Sequence, residues 1–238
     1  MRLIKEQNVY QLSFMPNFFP VNCYLIEEED SLTLIDAALP NSTKAIIATA
    51  NKVGKPISRI VLTHAHGDHV GALDELKRLL PDVKVYISRR DAKLLKGDKS
   101  LEANEPNAPI RGGVPNSIQT KPDILLSDGD MIGSLLAIST PGHTPGSMSF
   151  KDTRSGIIIA GDAMQTKGGV AVSGQLKPLF PFPAMATWHK ETALQSVKKL
   201  LQHHPSVLAV GHGNFLKQPE AAIVKAIKEA EERIAVIS

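Results

Sequence analysis

The chain has 238 residues, a length that suits one large domain or two small ones. Hydrophobic residues make up 42% of it and charged residues 21%, which is ordinary for a globular protein and argues against disorder. The formal net charge is only +3 and no basic run is present, so we expect no nucleic acid partner. Cys23 is the single cysteine, which excludes an internal disulfide and a multi-cysteine metal cluster.

Targeting signals are not evident in the sequence. The N-terminal segment MRLIKEQNVY lacks the apolar centre of a signal peptide. No apolar run approaches the roughly 20 residues that a membrane-spanning helix needs. We therefore expect a cytoplasmic protein without membrane contacts, and nothing in the sequence indicates an oligomeric state.

Short apolar segments alternate with helical patterns along the chain, which predicts an α/β fold in a single domain covering residues 1–238. Strands are expected near residues 21–26, 32–35, 59–63, 83–87, 124–126, 135–139, 147–150 and 156–160. Helices are expected near residues 42–53, 70–80, 188–203 and 219–236, where apolar residues recur at helical spacing.

Two segments have open interpretations. Residues 97–122 are crowded with Gly, Pro and Asn, and they form either a surface excursion or a flap over a site. Residues 178–185, PLFPFPAM, contain two phenylalanines between prolines. They form either a connector packed on the core or an apolar wall for an acyl chain or ring.

The segment after the third expected strand has the highest density of side chains that can bind a metal. It reads THAHGDH and places His64, His66, Asp68 and His69 within six residues. Side chains two apart in extended chain point the same way, so His64 and His66 can converge on one point. Asp68 and His69 then enter a helix from another direction. The pattern indicates two neighbouring metal ions.

Further candidate ligands lie where later strands end. His143 lies at the tip of the turn TPGHTPG, Asp162 ends the apolar run IIIAGD, and His212 lies between two glycines after VLAV. Each alone is a weak signal. Together they fit a site at the carboxyl edge of a sheet, where α/β folds gather their ligands.

In this ordered set of motifs the chain resembles the metallo-β-lactamase-fold hydrolases, a group that includes glyoxalase II and quorum-signal lactonases. The resemblance covers nearly the whole chain, because residues 22–26 and 34–36 are also similar to the opening strands of that fold. It implies a four-layer αβ/βα sandwich of two similar halves with metals at one edge. It implies that His64, His66 and His143 hold one metal, that Asp68, His69 and His212 hold the other, and that Asp162 bridges them.

The resemblance implies two divalent metal ions as cofactors. Imidazole and carboxylate ligands without thiolate suit Zn²⁺, with Fe²⁺ and Mn²⁺ as the alternatives. Two such ions roughly 3.5–4 Å apart can lower the pKa of a shared water toward about 7 and supply hydroxide. In the resembled arrangement Asp68 lies beside that hydroxide and can carry its proton to the leaving group. Asp36 either orients a ligand histidine or is an ordinary turn residue.

We therefore expect a hydrolase that acts on a small ester, thioester or lactone. Relatives that cleave glutathione thioesters carry a basic, cysteine-containing segment after the bridging aspartate, and residues 163–169 do not match it. Lactonases tend to place a tyrosine three residues after that aspartate, where this chain has Gln165. The alternatives are an iron-dependent persulfide dioxygenase of the same fold and a non-catalytic, metal-containing binding protein.

Overall fold

Two β-sheets organise the protein. A computed structural model describes residues 1–237, with side chains to residue 236. The first sheet has seven strands that lie in sequence order. They are β1 (Arg2–Glu6), β2 (Val9–Phe14), β3 (Val21–Glu27), β4 (Leu32–Ile35), β5 (Ile57–Val61), β6 (Lys84–Ser88) and β7 (Ile124–Leu126). Strands β1 to β4 are antiparallel and β4 to β7 are parallel.

The second sheet has six strands. They are β8 (Met131–Ile132), β9 (Leu135–Ser139), β10 (Met148–Asp152), β11 (Ile157–Ile159), β14 (Val207–Ala209) and β15 (Leu216–Lys217). Their spatial order is β15-β14-β11-β10-β9-β8, and β11 and β14 are parallel. A separate ribbon pairs β12 (Met164–Gln165) with β13 (Ala171–Val172).

Seven helices flank the sheets: α1 (Thr43–Val53), α2 (Gly67–Val70), α3 (Leu73–Leu79), α4 (Asp91–Leu94), α5 (Phe182–Ala186), α6 (Lys190–Leu201) and α7 (Glu220–Ile237). One apolar cluster joins the first sheet to α1, α3 and α4, and another joins the second sheet to α6 and α7. A third cluster lies between the sheets, with Tyr24 and Ile35 from one and Phe150 and Ile159 from the other. The result is the predicted αβ/βα sandwich of four layers.

Most expected elements are present with shifted ends, but two differences are informative. The expected helix at 70–80 is divided into α2 and α3. The backbone N–H of Gly71 donates to the Ala38 carbonyl, and a Cβ at Gly71 would collide with Pro40. This close contact of Gly71 with residues 38–40, just after β4, separates α2 from α3. Strands β1 and β2 were not predicted, because their alternation of polar and apolar residues is short and interrupted.

The fold brings the carboxyl ends of several strands to one edge. Strands β4 and β5 end there in the first sheet, and β9, β11 and β14 end there in the second. Backbone hydrogen bonds join the sheets at this edge, from Met148 to Thr63 (2.8 Å) and from Asn22 to Gly211 (2.9 Å). In residues 1–237, no helix has both the length and the apolar character needed to cross a bilayer.

Candidate metal centre

Four side chains of the THAHGDH segment meet where β5 runs into α2. The backbone is still extended at His66 and becomes helical at Gly67, so the direction of the side chains changes there. The ring of His64 lies 4.8 Å from that of His66 and 4.2 Å from that of His69, between centroids. The rings of His64, His66 and His69 are buried.

The loops after β9, β11 and β14 bring His143, Asp162 and His212 to the same place. Ligand atoms of His64, His66 and His143 lie within 4.8 Å of one another. The same holds for a second group, Asp68, His69 and His212. All seven residues that the sequence singled out as metal ligands thus lie in one cluster, and their division between two metal ions stays a prediction.

Asp162 lies between the two groups. Its Oδ2 atom is 3.3 Å from Nε2 of His143, which belongs to the first group, and 3.1 Å from Nε2 of His212, which belongs to the second. Its Oδ1 atom is 3.5 Å from Nε2 of His69. A carboxylate with one group on each side is placed to bind two cations at once.

Buried polar atoms without partners test whether the residues fit a metal. Nε2 of His64, Nε2 of His69 and Oδ1 of Asp162 have no hydrogen-bond partner among the described residues. These three side chains offer ligand atoms within 4.8 Å of one another. Leaving one such atom unsatisfied costs about 1–3 kcal/mol, so three at one point favour a bound cation. Imidazole and carboxylate donors suit Zn²⁺ and other first-row divalent ions.

The protonation states of the cluster follow from burial and from its carboxylates. Burial lowers the pKa of His143 to about 3 and also lowers the pKa values of His64 and His66. These three rings are therefore neutral at pH 7, as ligands must be. Burial also opposes charge on His69, but nearby carboxylates outweigh it and raise its pKa to about 10. A cation that binds His69 therefore displaces a proton at neutral pH.

Groups behind the ligands fix their ring orientation. Oδ2 of Asp36 lies 2.7 Å from Nδ1 of His69, and the Thr63 backbone N–H donates to Oδ1 of Asp36 (2.8 Å). The carbonyl of Pro20 accepts from Nδ1 of His212 (2.7 Å). In both rings Nε2 is left to face the cluster, which is the usual arrangement around a metal-binding histidine.

Asp91 is a functional candidate that the sequence reasoning missed. Its buried carboxylate accepts hydrogen bonds from the Ala65 N–H (2.9 Å), the Thr144 hydroxyl (2.8 Å) and the Gly146 N–H (2.8 Å). Burial raises the pKa of Asp91 to about 6, although these donors favour the carboxylate. Asp91 thereby ties the His64–His66 segment to the His143 loop. In the sequence, Ser88 followed three residues later by Asp91 resembles only a helix start.

The loop of residues 97–122 lies against the site. The Arg111 carbonyl is 3.0 Å from Nε2 of His66, and the Gly67 N–H donates to the Gly113 carbonyl (2.8 Å). Side chains outside the loop hold it at three further points. The Arg90 guanidinium donates to the Glu105 carboxylate (2.9 Å), and the Trp188 indole N–H donates to the Ala108 carbonyl (2.9 Å). The Asp74 carboxylate accepts from the Thr120 N–H (2.8 Å). The loop therefore forms part of the wall of the site.

A cavity of about 350 Å³ opens over the cluster, within the usual size range of small-molecule sites. It is lined by Phe19, His66, Asp68, Gly112, Gly113, His143, Asp162, Phe182, Pro183, Met185, Ala186 and His212. In residues 178–185, Phe180 is buried in the core and Phe182 lines the cavity, and the binding of an acyl chain or ring there stays a prediction. His189, His203, His204 and Cys23 lie outside the cluster.

Replacing Asp91 tests its positioning role. Asp91→Asn replaces one carboxylate oxygen by an NH₂ group, so the side chain can no longer accept from Gly146 on one side and from Ala65 and Thr144 on the other at the same time. We expect zinc affinity, measured by competition with a chromogenic chelator, to fall by about 10- to 100-fold while the far-UV spectrum is unchanged. Asp98→Asn, on the exposed turn after α4, is the matched control and should bind zinc like the wild type. Wild-type affinity in Asp91→Asn would contradict the assignment.

Two adjacent glycines test the docking of the loop. Gly112 has a φ of +83°, and a Cβ there would collide with the His66 ring, whereas a Cβ at Gly113 would meet no atom within 4 Å. Gly112→Ala should lower the free energy of unfolding by about 1–2 kcal/mol, measured in urea. Gly113→Ala should leave it within about 0.5 kcal/mol. Equal unfolding energies for the two variants would show that the loop does not need this close approach.

Comparison with known proteins gives the family. The model of the metallo-β-lactamase superfamily matches residues 16–212. An uncharacterized Bacillus subtilis protein, YobT, is 60% identical over 98% of this chain and 100% of its own length. The probable metallo-hydrolase YflN of B. subtilis is 32% identical over 81% and 80% of the two chains. A hydroxyacylglutathione hydrolase of Haemophilus influenzae, GloC, is 28% identical over 83% and 87%.

Solved structures agree with this assignment. The protein TTHA1623, solved in a di-iron-bound form, is 26% identical, with a TM-score of 0.64 over 89% of this chain and 96% of that one. A metallo-β-lactamase from Pontibacter korlensis has a TM-score of 0.73 over 97% and 98% of the two chains, at 17% identity, and so shares the fold. With the family model covering most of its length, the chain belongs to the metallo-β-lactamase superfamily of metal-dependent hydrolases.

Proposed function

We propose that the protein is a dinuclear, zinc-dependent hydrolase of a small ester, thioester or lactone. The observation that carries this proposal is the position of Asp162 between two groups of ligand atoms at the floor of a cavity. His64, His66 and His143 would hold one ion, and Asp68, His69 and His212 the other. Two divalent ions supply Lewis acidity for a carbonyl oxygen and acidify water near neutral pH.

Asp68 has the geometry of a proton carrier. Both Asp68 and Asp162 line the cavity, but the side chain of Asp68 is 28% exposed, whereas Asp162 is buried. Burial opposes the ionisation of Asp68, but His69 and His212 outweigh that effect and lower the pKa of Asp68 below its usual value. As a carboxylate at pH 7 it can accept a proton at Oδ2 and deliver it to a leaving group.

The other residues of the site orient the ligand rings and exclude water from them. We assign to Asp36 the orientation of His69, through the short contact with Nδ1. The Ser173 hydroxyl, 3.0 Å from Nδ1 of His143, does the same for that ring. The loop of residues 97–122 covers the edge of His66 and keeps water from that side. A cytoplasmic location and a preference for zinc are part of the proposal.

Metal analysis combined with a substrate panel tests this function. Protein purified without added metal is analysed for zinc, iron and manganese, then assayed on ester, thioester, lactone, phosphodiester and β-lactam substrates. We expect close to two zinc ions per chain and turnover of a carbonyl substrate. The di-iron-bound relative makes iron the second candidate, and one iron per chain with oxygen consumption on a persulfide would indicate a dioxygenase instead. Full metal content without any turnover would indicate a binding protein.

A leaving-group series tests the role of Asp68. Asp68→Asn keeps a ligating oxygen and removes the group that moves the proton. Turnover should fall by about 10²- to 10⁴-fold for substrates with poor leaving groups and least for good ones, which leave without a proton. Asp162→Ala is the contrasting variant, since it should lose metal and activity together. An equal loss on all substrates by a fully metallated Asp68→Asn would assign the proton transfer to another group.

A further inference from the structure

The cavity has two chemically different sides. Its floor consists of the candidate ligands, with His143, Asp162 and His212 among them. The facing wall consists of apolar side chains: Phe19, Phe182, Pro183, Met185 and Ala186. Among the described residues that line the cavity there is no Lys or Arg. Apart from the ligands, the site thus offers a substrate apolar contact and no fixed positive charge.

The apolar wall is fixed relative to the candidate metal centre. The Phe19 ring lies 5.0 Å from that of Phe182 and 5.3 Å from that of His212, between centroids. The buried Gln165 amide donates to the Phe180 carbonyl (3.1 Å) and holds the segment before α5. Gln165 therefore supports the wall, and it is not among the residues that line the cavity. A wall tied to His212 can place an acyl chain relative to the reacting carbonyl.

The wall keeps apolar surface exposed at the cavity mouth. Phe182 is 49% exposed and Met185 is 63% exposed, although both lie on α5 beside the cavity. Burying such surface under a ligand should raise affinity roughly threefold to fourfold for each methylene group that the ligand contributes. The exposed parts of Phe182 and Met185 therefore form apolar surface that a ligand in the cavity can bury.

Nearby basic side chains are engaged elsewhere or lie outside the cavity. The Lys167 ammonium donates to the Asn17 carbonyl (3.1 Å) and lines a different depression. The Lys177 ammonium pairs with Glu229 (2.8 Å). Arg111 is exposed on the loop, and its carbonyl contacts His66. A carboxylate on the acyl group that lies against the apolar wall, away from the proposed metal ions, would have no basic side chain among the residues that line the cavity, which is costly.

We propose, building on the hydrolase function above, that the acyl group of the substrate is uncharged and apolar and lies against Phe19, Phe182 and Met185. The cavity volume of about 350 Å³ is at the small end for ligand sites, which favours a short or medium acyl chain. The amino-acid side chains select against an acyl group that ends in a carboxylate.

Matched thioesters test the charge and the length of the acyl group. Acetyl, butyryl and succinyl thioesters of N-acetylcysteamine share one leaving group, and the last two differ chiefly by a carboxylate. With the metal-replete full chain, kcat/KM should rise roughly threefold to fourfold per methylene from acetyl to butyryl. It should fall at least about tenfold from butyryl to succinyl. A succinyl thioester that reacts as well as the butyryl one would overturn the proposal.

Two serine variants locate the contact. Phe182→Ser should abolish the gain in kcat/KM from the acetyl to the butyryl thioester. Leu179→Ser is the matched control, because Leu179 is 84% exposed in the same segment but does not line the cavity. Leu179→Ser should keep the full chain-length dependence. If both variants keep the chain-length dependence, or if both lose it, the proposal fails. If both variants change only the sedimentation of the protein, the exposed residues form a contact between copies, and the proposal fails as well.

A binding experiment separates the acyl-group proposal from the hydrolase function. Hexanamide, a neutral amide, is titrated against metal-replete wild type, Phe182→Ser and Leu179→Ser, and followed by ligand-observed NMR. We expect its affinity to fall roughly tenfold or more in Phe182→Ser alone. That result without turnover of any ester, thioester or lactone would refute the hydrolase and support the apolar wall. Turnover without chain-length dependence, with hexanamide bound equally by all three proteins, would refute the wall and leave the hydrolase.

Discussion

The charge of Asp162, buried among histidine rings, is the constraint on which the rest of the site depends. Burial opposes its ionisation, but the rings of His212, His69 and His143 outweigh that effect and hold the pKa of Asp162 well below its usual value. The same carboxylate raises the pKa of His69. A buried charge of this kind needs a positive partner, and His69, whose pKa is raised, supplies one beside it. The proposed divalent ions would supply more positive charge, one on the neutral rings of His64, His66 and His143 and the other in exchange for the proton of His69.

The sandwich supplies this arrangement because its two sheets share one edge. Parallel strands of the first sheet deliver the THAHGDH segment and Asp36, and the second sheet delivers three separate ligands. Hydrogen bonds across the edge set the spacing: Tyr24 on β3 donates to the Val210 carbonyl (2.6 Å), and Asn22 binds the Val210 and Gly213 carbonyls. Rigid elements thus hold the floor of the site, while α5 and the loop of residues 97–122 make its walls. Substrate choice can therefore change through the walls without disturbing the ligands.

The candidate metal ligands could be predicted from the sequence better than the residues that surround them. His64, His66, Asp68 and His69 are visible because metal-capable residues rarely crowd into six positions, and the strand-end ligands follow from α/β topology. Asp91 was missed as a site residue because its role depends on backbone groups that are distant in sequence. Phe19 was missed for a similar reason, since its packing on Phe182 joins segments 163 residues apart. Tertiary contacts of this kind leave no periodic signal.

The central claim is that two metal ions lie on opposite sides of Asp162. Crystals of the metal-replete protein, with diffraction data collected on both sides of the zinc absorption edge, test it directly. The account predicts two anomalous peaks roughly 3.5–4 Å apart, one among His64, His66 and His143 and one among Asp68, His69 and His212. A single peak, or peaks away from Asp162, would contradict it.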